Sequence, residues 1–371
     1  MGTSVKNILY IVSTLEKSGP IHQLSYIIKY IDKNTFTPII LTLSPEDGQK
    51  SLKDYFTNIL QVRVETLGFS RIKGMFFAKS KIEEFIKENH IDLAHSQGIR
   101  ADALASKLNI PTVSTLRNYP YDDYPMTYGK LQGLLMAKFH LVHLTQIDHP
   151  YVVSRAISKM LQDKNHYVID YIRNGIDIER FQGLNKDELR EKLHIKKEKK
   201  VFISIGHLNS RKDPLSIIKA FKNAQIKESI LIFLGEGALE KECRDEINNR
   251  KDIKLLGSKD NVHEYLGASD YFISASLAEG LPNTVLEAMA CGLPCILSDI
   301  SPHLEIYTMD KTSSLLFKVR DIEQLSNALK KIVNMDYLRM SKASKKITQE
   351  TLNAQKMSLA YQKSYKTLLN I

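Results

Sequence analysis

Short apolar segments alternate regularly with amphipathic segments along this chain, and few folds accommodate such a pattern. Segments such as "NILYIVST" and "PCILSD" are almost uninterrupted in their apolar character, and stretches with helical spacing follow them. Unbroken apolar strands that alternate with helices are typical of parallel sheets covered on both faces. The sequence therefore predicts an α/β protein with doubly wound parallel sheets.

Two such series follow one another along the chain. The first predicts strands at "NILYIVST", "FTPIILTL", "VRVETL", "DLAHSQ" and "TVSTL", and the second at "VFISIGHL", "SILIFLGEG", "DIKLLG", "DYFISAS" and "PCILSD". The predicted helices are 22–31, 79–89, 214–223, 238–249 and 322–333.

The length of 371 residues favours two domains. The join falls near "IRNGIDIERFQG", a Gly/Asn turn followed by a predicted polar helix. We expect an N-terminal Rossmann-like domain over 1–176 and a C-terminal one over 177–350. The last helix, over 351–371, is expected to pack back toward the N-terminal domain.

Composition narrows the function classes. No apolar run approaches the ~18 residues that span a membrane, and "KNILYIVSTL" lacks the cleavage site of a signal peptide. Three cysteines form no even framework, which favours a reducing cytoplasm, and no metal site is predicted. The net charge of +10 suits a phosphorylated substrate or an anionic membrane face. No basic block is long enough to favour nucleic acid.

The loops after strands are the places to look for a site, because ligands of open α/β sheets bind there. Gly19 opens a predicted helix and would let the backbone approach a diphosphate. Gly206 ends a later strand, and Arg211 and Lys212 come just before a helix capped by Asp213. Two cations beside a positive dipole end favour a bound anion. The alternatives are a simple turn at Gly19 and two solvated loop cations.

"EGLPNTVLEAMACGLP" places Glu279 and Glu287 eight positions apart, with only uncharged residues between them. Glu279 follows the strand "DYFISAS". A carboxylate can accept hydrogen bonds from a ribose diol, and a second one can face a sugar hydroxyl or a positive anomeric carbon. Thr284 and Glu287 also fit a capping box, which is the alternative, purely structural interpretation of Glu287.

These motifs resemble the retaining glycosyltransferases of family 4, whose GT-B fold has two Rossmann-like domains facing across a cleft. The resemblance rests on Gly206, the Arg211–Lys212 pair, "FLGEG" and above all "EGLPNTVLEAMACGLPCILSD". "NGID…F" at 174–181 matches the interdomain segment. The N-terminal half matches more loosely, through Gly19 and "IDLAHSQG".

The resemblance implies roles for individual residues. Glu287 would bind the nucleotide ribose, Glu279 would face the transferred sugar, and Arg211 and Lys212 would hold the diphosphate without an obligatory metal. Backbone groups contacting phosphate and sugar would come from the region of Gly19 and from Leu281, Pro282, Asn283 and Thr284. Many members carry a histidine after the fifth strand, where this chain has Arg117 and Asn118. His95, after the fourth strand, is the substitute candidate, and a structural hydrogen bond is its alternative role.

Two stretches of the N-terminal half are candidate acceptor surfaces. "NYPYDDYPMTYGK" offers aromatic and acidic groups for sugar binding, namely Tyr119, Asp122, Asp123 and Tyr124. "LGFSRIKGMFFAKSK" mixes basic and aromatic residues over 67–81, which suits docking on an anionic bilayer. The alternatives are a surface loop and a strand-to-helix connection.

The expected function is transfer of a hexose or N-acetylhexosamine from a nucleotide-diphosphate sugar, UDP-sugar by preference, to a glycan acceptor with retention of configuration. A lipid-linked acceptor at the inner face of the cell membrane would reconcile the basic charge with the lack of a spanning segment. The product would be a surface polysaccharide such as capsule, O-antigen or exopolysaccharide. The alternatives are a GT-B nucleotide-sugar epimerase or hydrolase, and a non-catalytic nucleotide-sugar-binding protein.

Overall fold

A computed structural model describes residues 5–48 and 50–371, apart from the side chains of residues 71–73 and 75. The chain forms two compact units. Unit 1 comprises Met1–Gly175 together with Ala354–Ile371, and unit 2 comprises Ile176–Asn353. The chain therefore passes from unit 1 to unit 2 after Gly175 and returns to unit 1 after Asn353, immediately before the last helix.

Unit 1 contains a seven-stranded parallel sheet with the order β3-β2-β1-β4-β5-β6-β7. Its strands are β1 (Lys6–Val12), β2 (Phe36–Thr42), β3 (Arg63–Thr66), β4 (Leu93–Ser96), β5 (Thr112–Leu116), β6 (His149–Val152) and β7 (Asp170–Tyr171). Its first six helices are α1 (Gly19–Lys29), α2 (Arg71–Glu88), α3 (Ile99–Ala105), α4 (Pro120–Tyr128), α5 (Lys130–Leu144) and α6 (Arg155–Asn165). The strand order reverses between β1 and β4, where doubly wound sheets bind ligands.

Unit 2 contains a six-stranded parallel sheet with the order β10-β9-β8-β11-β12-β13. The strands are β8 (Lys200–Ile205), β9 (Ser229–Leu234), β10 (Ile253–Leu255), β11 (Tyr271–Ser274), β12 (Cys295–Ser298) and β13 (Ser314–Phe317). The helices are α7 (Lys186–Lys192), α8 (Pro214–Ala224), α9 (Glu240–Ile247), α10 (Val262–Ala268), α11 (Asn283–Ala290), α12 (Ser301–Met309), α13 (Ile322–Ile332) and α14 (Tyr337–Glu350). The sheet switches direction between β8 and β11, so the loops after these two strands are neighbours.

The C-terminal helix α15 (Ala354–Leu369) packs on unit 1. The Ser358 hydroxyl donates to the carbonyl oxygen of Ile27 at 2.7 Å. Tyr361 and Tyr365 are fully buried, and their hydroxyls bond to groups on the sheet. The helix therefore completes the core of unit 1.

Two local expectations were wrong. The stretch expected to form a Tyr/Pro-rich loop is helix α4, which begins at Pro120 and carries Asp122 and Asp123 in its first turn. Proline fits the first turn of a helix and acids favour its positive dipole end, so this segment had helix-start signals. Strands β6, β7 and β13 were not predicted, and α2 begins eight residues before the expected position 79.

Candidate functional site

Two glycines bring the loops after β8 and β9 into close contact. A Cβ atom on Gly235 would lie 2.0 Å from the carbonyl oxygen of Gly206, so no side chain fits there. A Cβ atom on Gly206 would lie 3.0 Å from Cε of Lys212. Gly206 and Gly235 therefore allow the backbones of the two loops and the side chain of Lys212 to pack closely together.

Arg211 and Lys212 lie in the loop between β8 and α8, at the position predicted for them. Asp213 caps α8, because its carboxylate accepts from the backbone N–H of Ser216 and Pro214 starts the helix. The Arg211 carbonyl accepts from the N–H of Leu277 at 2.8 Å. This bond fixes the cationic loop against the segment that follows β11.

Glu279 is the anion that meets both cations. Its Oε1 lies 2.5 Å from Nζ of Lys212, and its Oε2 lies 3.1 Å from Nη1 of Arg211. Burial would raise the pKa of Glu279, but Lys212 and Arg211 outweigh it and lower the pKa to about 2. The Glu279 side chain is 8% exposed, whereas Arg211 and Lys212 keep 19% and 17%. The cations can therefore still contact a ligand.

A buried histidine that the sequence analysis missed lies behind Glu279. His303, on α12, is fully buried, with Nδ1 3.0 Å from the hydroxyl of Ser298 and Nε2 3.4 Å from that of Ser274. Ser274 lies 3.2 Å from the Ser276 hydroxyl, which bonds to Glu279. Burial lowers the pKa of His303 to about 4, so the ring is neutral at pH 7. The serines at the ends of "FISAS" and "ILSD" were the available signal.

Glu287 lies on the second turn of α11 and is half-buried. No hydrogen bond or ion pair joins its carboxylate to any described side chain. Burial raises its pKa to about 7, against the opposing charges of Arg180 and Lys212. A half-buried acid without a partner is available to a ligand.

The capping alternative for Glu287 is wrong. The N-cap of α11 is Pro282, and Thr284 is the second residue of the helix, not its cap. Leu281 is buried, whereas Asn283 and Thr284 are partly exposed. The four residues expected to contact the donor thus lead from Glu279 into the first turn of the helix that carries Glu287.

The catalytic role expected for His95 is inconsistent with its position in unit 1, which is within β4 and not after it. His95 is fully buried, with Nδ1 2.6 Å from the Tyr365 hydroxyl and Nε2 2.9 Å from the Thr115 hydroxyl. Burial lowers its pKa to about 3. Both ring nitrogens are engaged and no face reaches solvent, so the ring has a structural role that ties β4 to α15.

Gly19 starts α1 after the N-cap Ser18.

The candidate acceptor residues lie on and just before α4. The Tyr119 hydroxyl donates to Oδ1 of Asn165 at 2.6 Å, and the side chain is buried. The Tyr124 hydroxyl lies 2.6 Å from Nδ1 of His140, whose Nε2 lies 2.6 Å from Oδ2 of Asp102. Both tyrosine hydroxyls therefore serve internal hydrogen bonds. Asp122 and Asp123 remain partly exposed, and burial raises the pKa of Asp122.

Among the residues that the structure describes, no group of three His, Cys, Asp or Glu side chains is arranged to hold a metal ion. None of the described helices combines the length and hydropathy needed to cross a membrane.

Two family models match consecutive parts of the chain. The model of Glycosyltransferase Family 4 matches residues 23–180, and that of Glycosyl transferases group 1 matches residues 185–350. Both halves of the chain therefore belong to glycosyltransferase families. The group 1 match includes Arg211, Lys212, Glu279 and Glu287. The family 4 match begins within α1 and covers strands β2 to β7 of unit 1.

Curated relatives agree with this assignment. The chain is 35% identical over 176 residues to UDP-Gal:alpha-D-GlcNAc-diphosphoundecaprenol alpha-1,3-galactosyltransferase of Escherichia coli, with 45% of each chain covered. It is 22% identical over 371 residues to the O-antigen biosynthesis glycosyltransferase WclY of Escherichia coli, covering 97% of this chain and 98% of WclY. The chain spans about half the length of relatives such as the galactosyltransferase.

Solved structures show the same fold. A glycosyltransferase from Rickettsia africae superposes with a TM-score of 0.80 and 18% identity, and 99% of each chain is covered. HepE of Anabaena, solved in complex with UDP and glucose, superposes with a TM-score of 0.78 and 17% identity over 98% of this chain and all of HepE. The protein has the GT-B fold, with two Rossmann-like units.

Proposed function

We propose that this glycosyltransferase moves a hexose or N-acetylhexosamine from a nucleotide-diphosphate sugar to a glycan acceptor with retention of configuration. The observation that carries the proposal is the cluster of Arg211, Lys212 and Glu279, with the unpartnered carboxylate of Glu287 on the adjoining helix. The cluster offers two cations for phosphate, and the two acids can accept hydrogen bonds from sugar hydroxyls.

The chemistry follows from these charges. Glu287 accepts hydrogen bonds from the ribose diol, and the exposed parts of Arg211 and Lys212 contact the diphosphate. The bond between the anomeric carbon and the diphosphate oxygen breaks, the acceptor oxygen bonds to that carbon on the same face, and the departing phosphate takes the acceptor's proton. Negative charge grows on the phosphate as the bond breaks, so preset cations stabilise the transition state. The cations take the place of an obligatory metal.

UDP-sugar is the proposed donor, and a lipid-linked glycan in surface-polysaccharide synthesis is the proposed acceptor. The complex of HepE with UDP and glucose supports the first choice. The second is supported by the names of two relatives, the diphosphoundecaprenol galactosyltransferase and the O-antigen glycosyltransferase WclY.

A thermal-shift screen across UDP-, GDP- and ADP-sugars tests the donor, because a ligand at ~100 times its dissociation constant adds about 2.7 kcal/mol of stability. Nucleotide release is then followed with and without a lipid-linked glycan. Transfer predicts release that requires the acceptor and a product one sugar longer. Release into water alone would support the hydrolase, and a changed free nucleotide sugar would support the epimerase. No stabilisation by any nucleotide sugar would contradict the proposal.

We also propose that unit 1 contacts the inner face of the cell membrane. Helix α5 buries one face and exposes an apolar stripe of large side chains, Leu131, Leu134, Leu135, Phe139 and Val142. The helix carries the exposed Lys130 and Lys138 and no acidic residue. Within the region 67–81, Phe76 and Phe77 are exposed beside Lys79 and Lys81. Apolar side chains interleaved with lysines suit an anionic bilayer surface.

The double variant Leu135→Glu, Phe139→Glu is expected to lower co-sedimentation with anionic liposomes by about ten-fold or more, because two large side chains no longer enter the apolar layer. Salt should also release the wild-type protein, since the Debye length is ~10 Å at 0.1 M. Val168→Glu changes a lone exposed valine of unit 1 and serves as the control. Equal binding to neutral and anionic liposomes would argue against this surface, as would full binding by the double variant.

A further inference from the structure

A guanidinium group that pairs with no described carboxylate lies beside the carboxyl ends of two adjacent strands of unit 1. Gln97 follows β4, and Arg117 follows the neighbouring strand β5. The backbone N–H of Gln97 donates to the carbonyl oxygen of Ile11 on β1, so Gln97 lies where the strand order reverses. That edge is where doubly wound sheets bind ligands.

The hydrogen bonds of this pair are incomplete. Nη2 of Arg117 donates to Oε1 of Gln97 at 2.7 Å, and Nη1 donates to Oδ1 of Asn174 at 3.0 Å. Nε of Arg117 and Nε2 of Gln97 are buried and have no acceptor in the part of the chain that the structure describes. No described carboxylate lies within ion-pairing distance of Arg117, and burial lowers its pKa. Leaving a buried donor unpaired is unfavourable, because the group has lost its hydrogen bonds to water.

Arg190, a buried arginine of unit 2, provides a comparison, because its contacts are those of an arginine with a structural role. Arg190 is 5% exposed, and Nη2 lies 2.6 Å from a carboxylate oxygen of Asp270. Its Nε and Nη1 donate to the carbonyl oxygens of Ala268 and Lys197. Every nitrogen of Arg190 is used and its charge is neutralised. Arg117 has neither property, because its Nε has no acceptor among the described residues and no described carboxylate neutralises its charge.

We propose that Gln97 and Arg117 form a subsite for a substrate oxyanion, either the carboxylate of an acidic sugar or a phosphate of the acceptor. An oxyanion accepts from Nε of Arg117 and from Nε2 of Gln97, and it neutralises the guanidinium. Arg117 is partly exposed, but the two free donors are shielded, so binding requires rotation of one of these side chains. This proposal rests on the proposed function and adds that one substrate of the reaction, the donor sugar or the acceptor, carries an oxyanion.

The test measures dissociation constants for two matched pairs of ligands. The donor pair is UDP-glucuronate and UDP-glucose. The acceptor pair is a short-chain isoprenyl diphosphate sugar and the uncharged alkyl glycoside of the same sugar. We expect the anionic member of one pair to bind the wild type about 10- to 150-fold more tightly, the range of a hydrogen bond to a charged group. The pair that shows the preference identifies the source of the oxyanion.

Arg117→Gln is expected to abolish that preference and to leave the dissociation constant of UDP alone unchanged. Gln97→Met, which keeps the volume and removes the free donor, should reduce the preference and covers the case in which Arg117→Gln fails to fold. Arg63→Gln removes an exposed, paired arginine of the same unit and should change nothing.

A preference that persists in both Arg117→Gln and Gln97→Met would overturn the subsite, as would the lack of any preference in the wild type. Failure of UDP itself to bind would instead contradict the donor site of unit 2. The acceptor pair is measured without nucleotide, so it still tests the subsite in that case.

Discussion

Replacing Arg211 or Lys212 with alanine is expected to lower turnover by about a hundred- to a thousand-fold, equivalent to roughly 2.7–4 kcal/mol of transition-state stabilisation. Charge on the leaving diphosphate is larger in the transition state than in the bound donor. The loss should therefore appear mainly in turnover, and binding of the nucleotide sugar should weaken less. Steady-state kinetics and direct binding on the purified variants measure the two effects separately.

The contacts of Glu279 explain why each single variant should fold. When either cation is removed, the other remains within 3.1 Å of the Glu279 carboxylate, so the buried acid keeps one partner. The matched control is Lys222→Ala, which breaks the Lys222–Glu246 pair elsewhere in unit 2. We also expect EDTA to leave the wild-type rate unchanged. Near-wild-type turnover in both variants would contradict the proposed diphosphate site, and so would activity that EDTA abolishes and a divalent ion restores.

Glu287→Gln is expected to weaken donor binding and to stabilise the ligand-free protein. Hydrogen bonds to a charged group are worth about 1.5–3 kcal/mol, so the dissociation constant of the nucleotide should rise roughly 10- to 150-fold. The amide of glutamine is isosteric with the carboxylate but is a weaker acceptor for the ribose diol. Calorimetric titration with UDP and with UDP-sugars measures the change.

The stability effect follows from the raised pKa of Glu287. Its folded value is about 7, above the ordinary value of 4.5. Between these two pH values the folded state binds more protons than the unfolded state, so wild-type stability falls as the pH rises through this window. Glutamine does not titrate, so the variant does not lose stability in this way as the pH rises. The variant should thus be more stable by about 1–3 kcal/mol at pH 8, since a tenfold change in proton affinity corresponds to about 1.4 kcal/mol.

Denaturant unfolding at pH 4.5 and pH 8 measures the free energy of unfolding and tests this prediction. The difference in this free energy between the variant and the wild type should nearly vanish at pH 4.5. Glu242→Gln, on the exposed surface of α9, is the control for the loss of one acid. If the variant is less stable than the wild type at pH 8, Glu287 has a structural role. If the affinity for UDP is unchanged, Glu287 is not part of the donor site.

Features that depend on near neighbours along the chain could be predicted from the amino-acid sequence. Apolar periodicity identified ten of the strands, because each strand is a short unbroken run with a helix after it. The Asp213 cap and Pro214 were recognisable, since a cap acts within one helical turn. The spacing of Glu279 and Glu287 placed one acid after a strand and the other on the following helix. The strands that were missed, such as "HPYV" in β6, are short and carry proline or polar residues.

Which of these groups meet and which remain unpaired depends on how distant parts of the chain pack together. Lys212 and Glu279 are 67 positions apart, and their pairing turns two solvated-looking cations into a charge cluster. His95 is buried because Tyr365, 270 positions later, covers it. The pKa of Glu287 and the missing partners of Arg117 likewise depend on what packs around each group. Burial and electrostatic interactions are set by distances in space, which local sequence patterns do not contain.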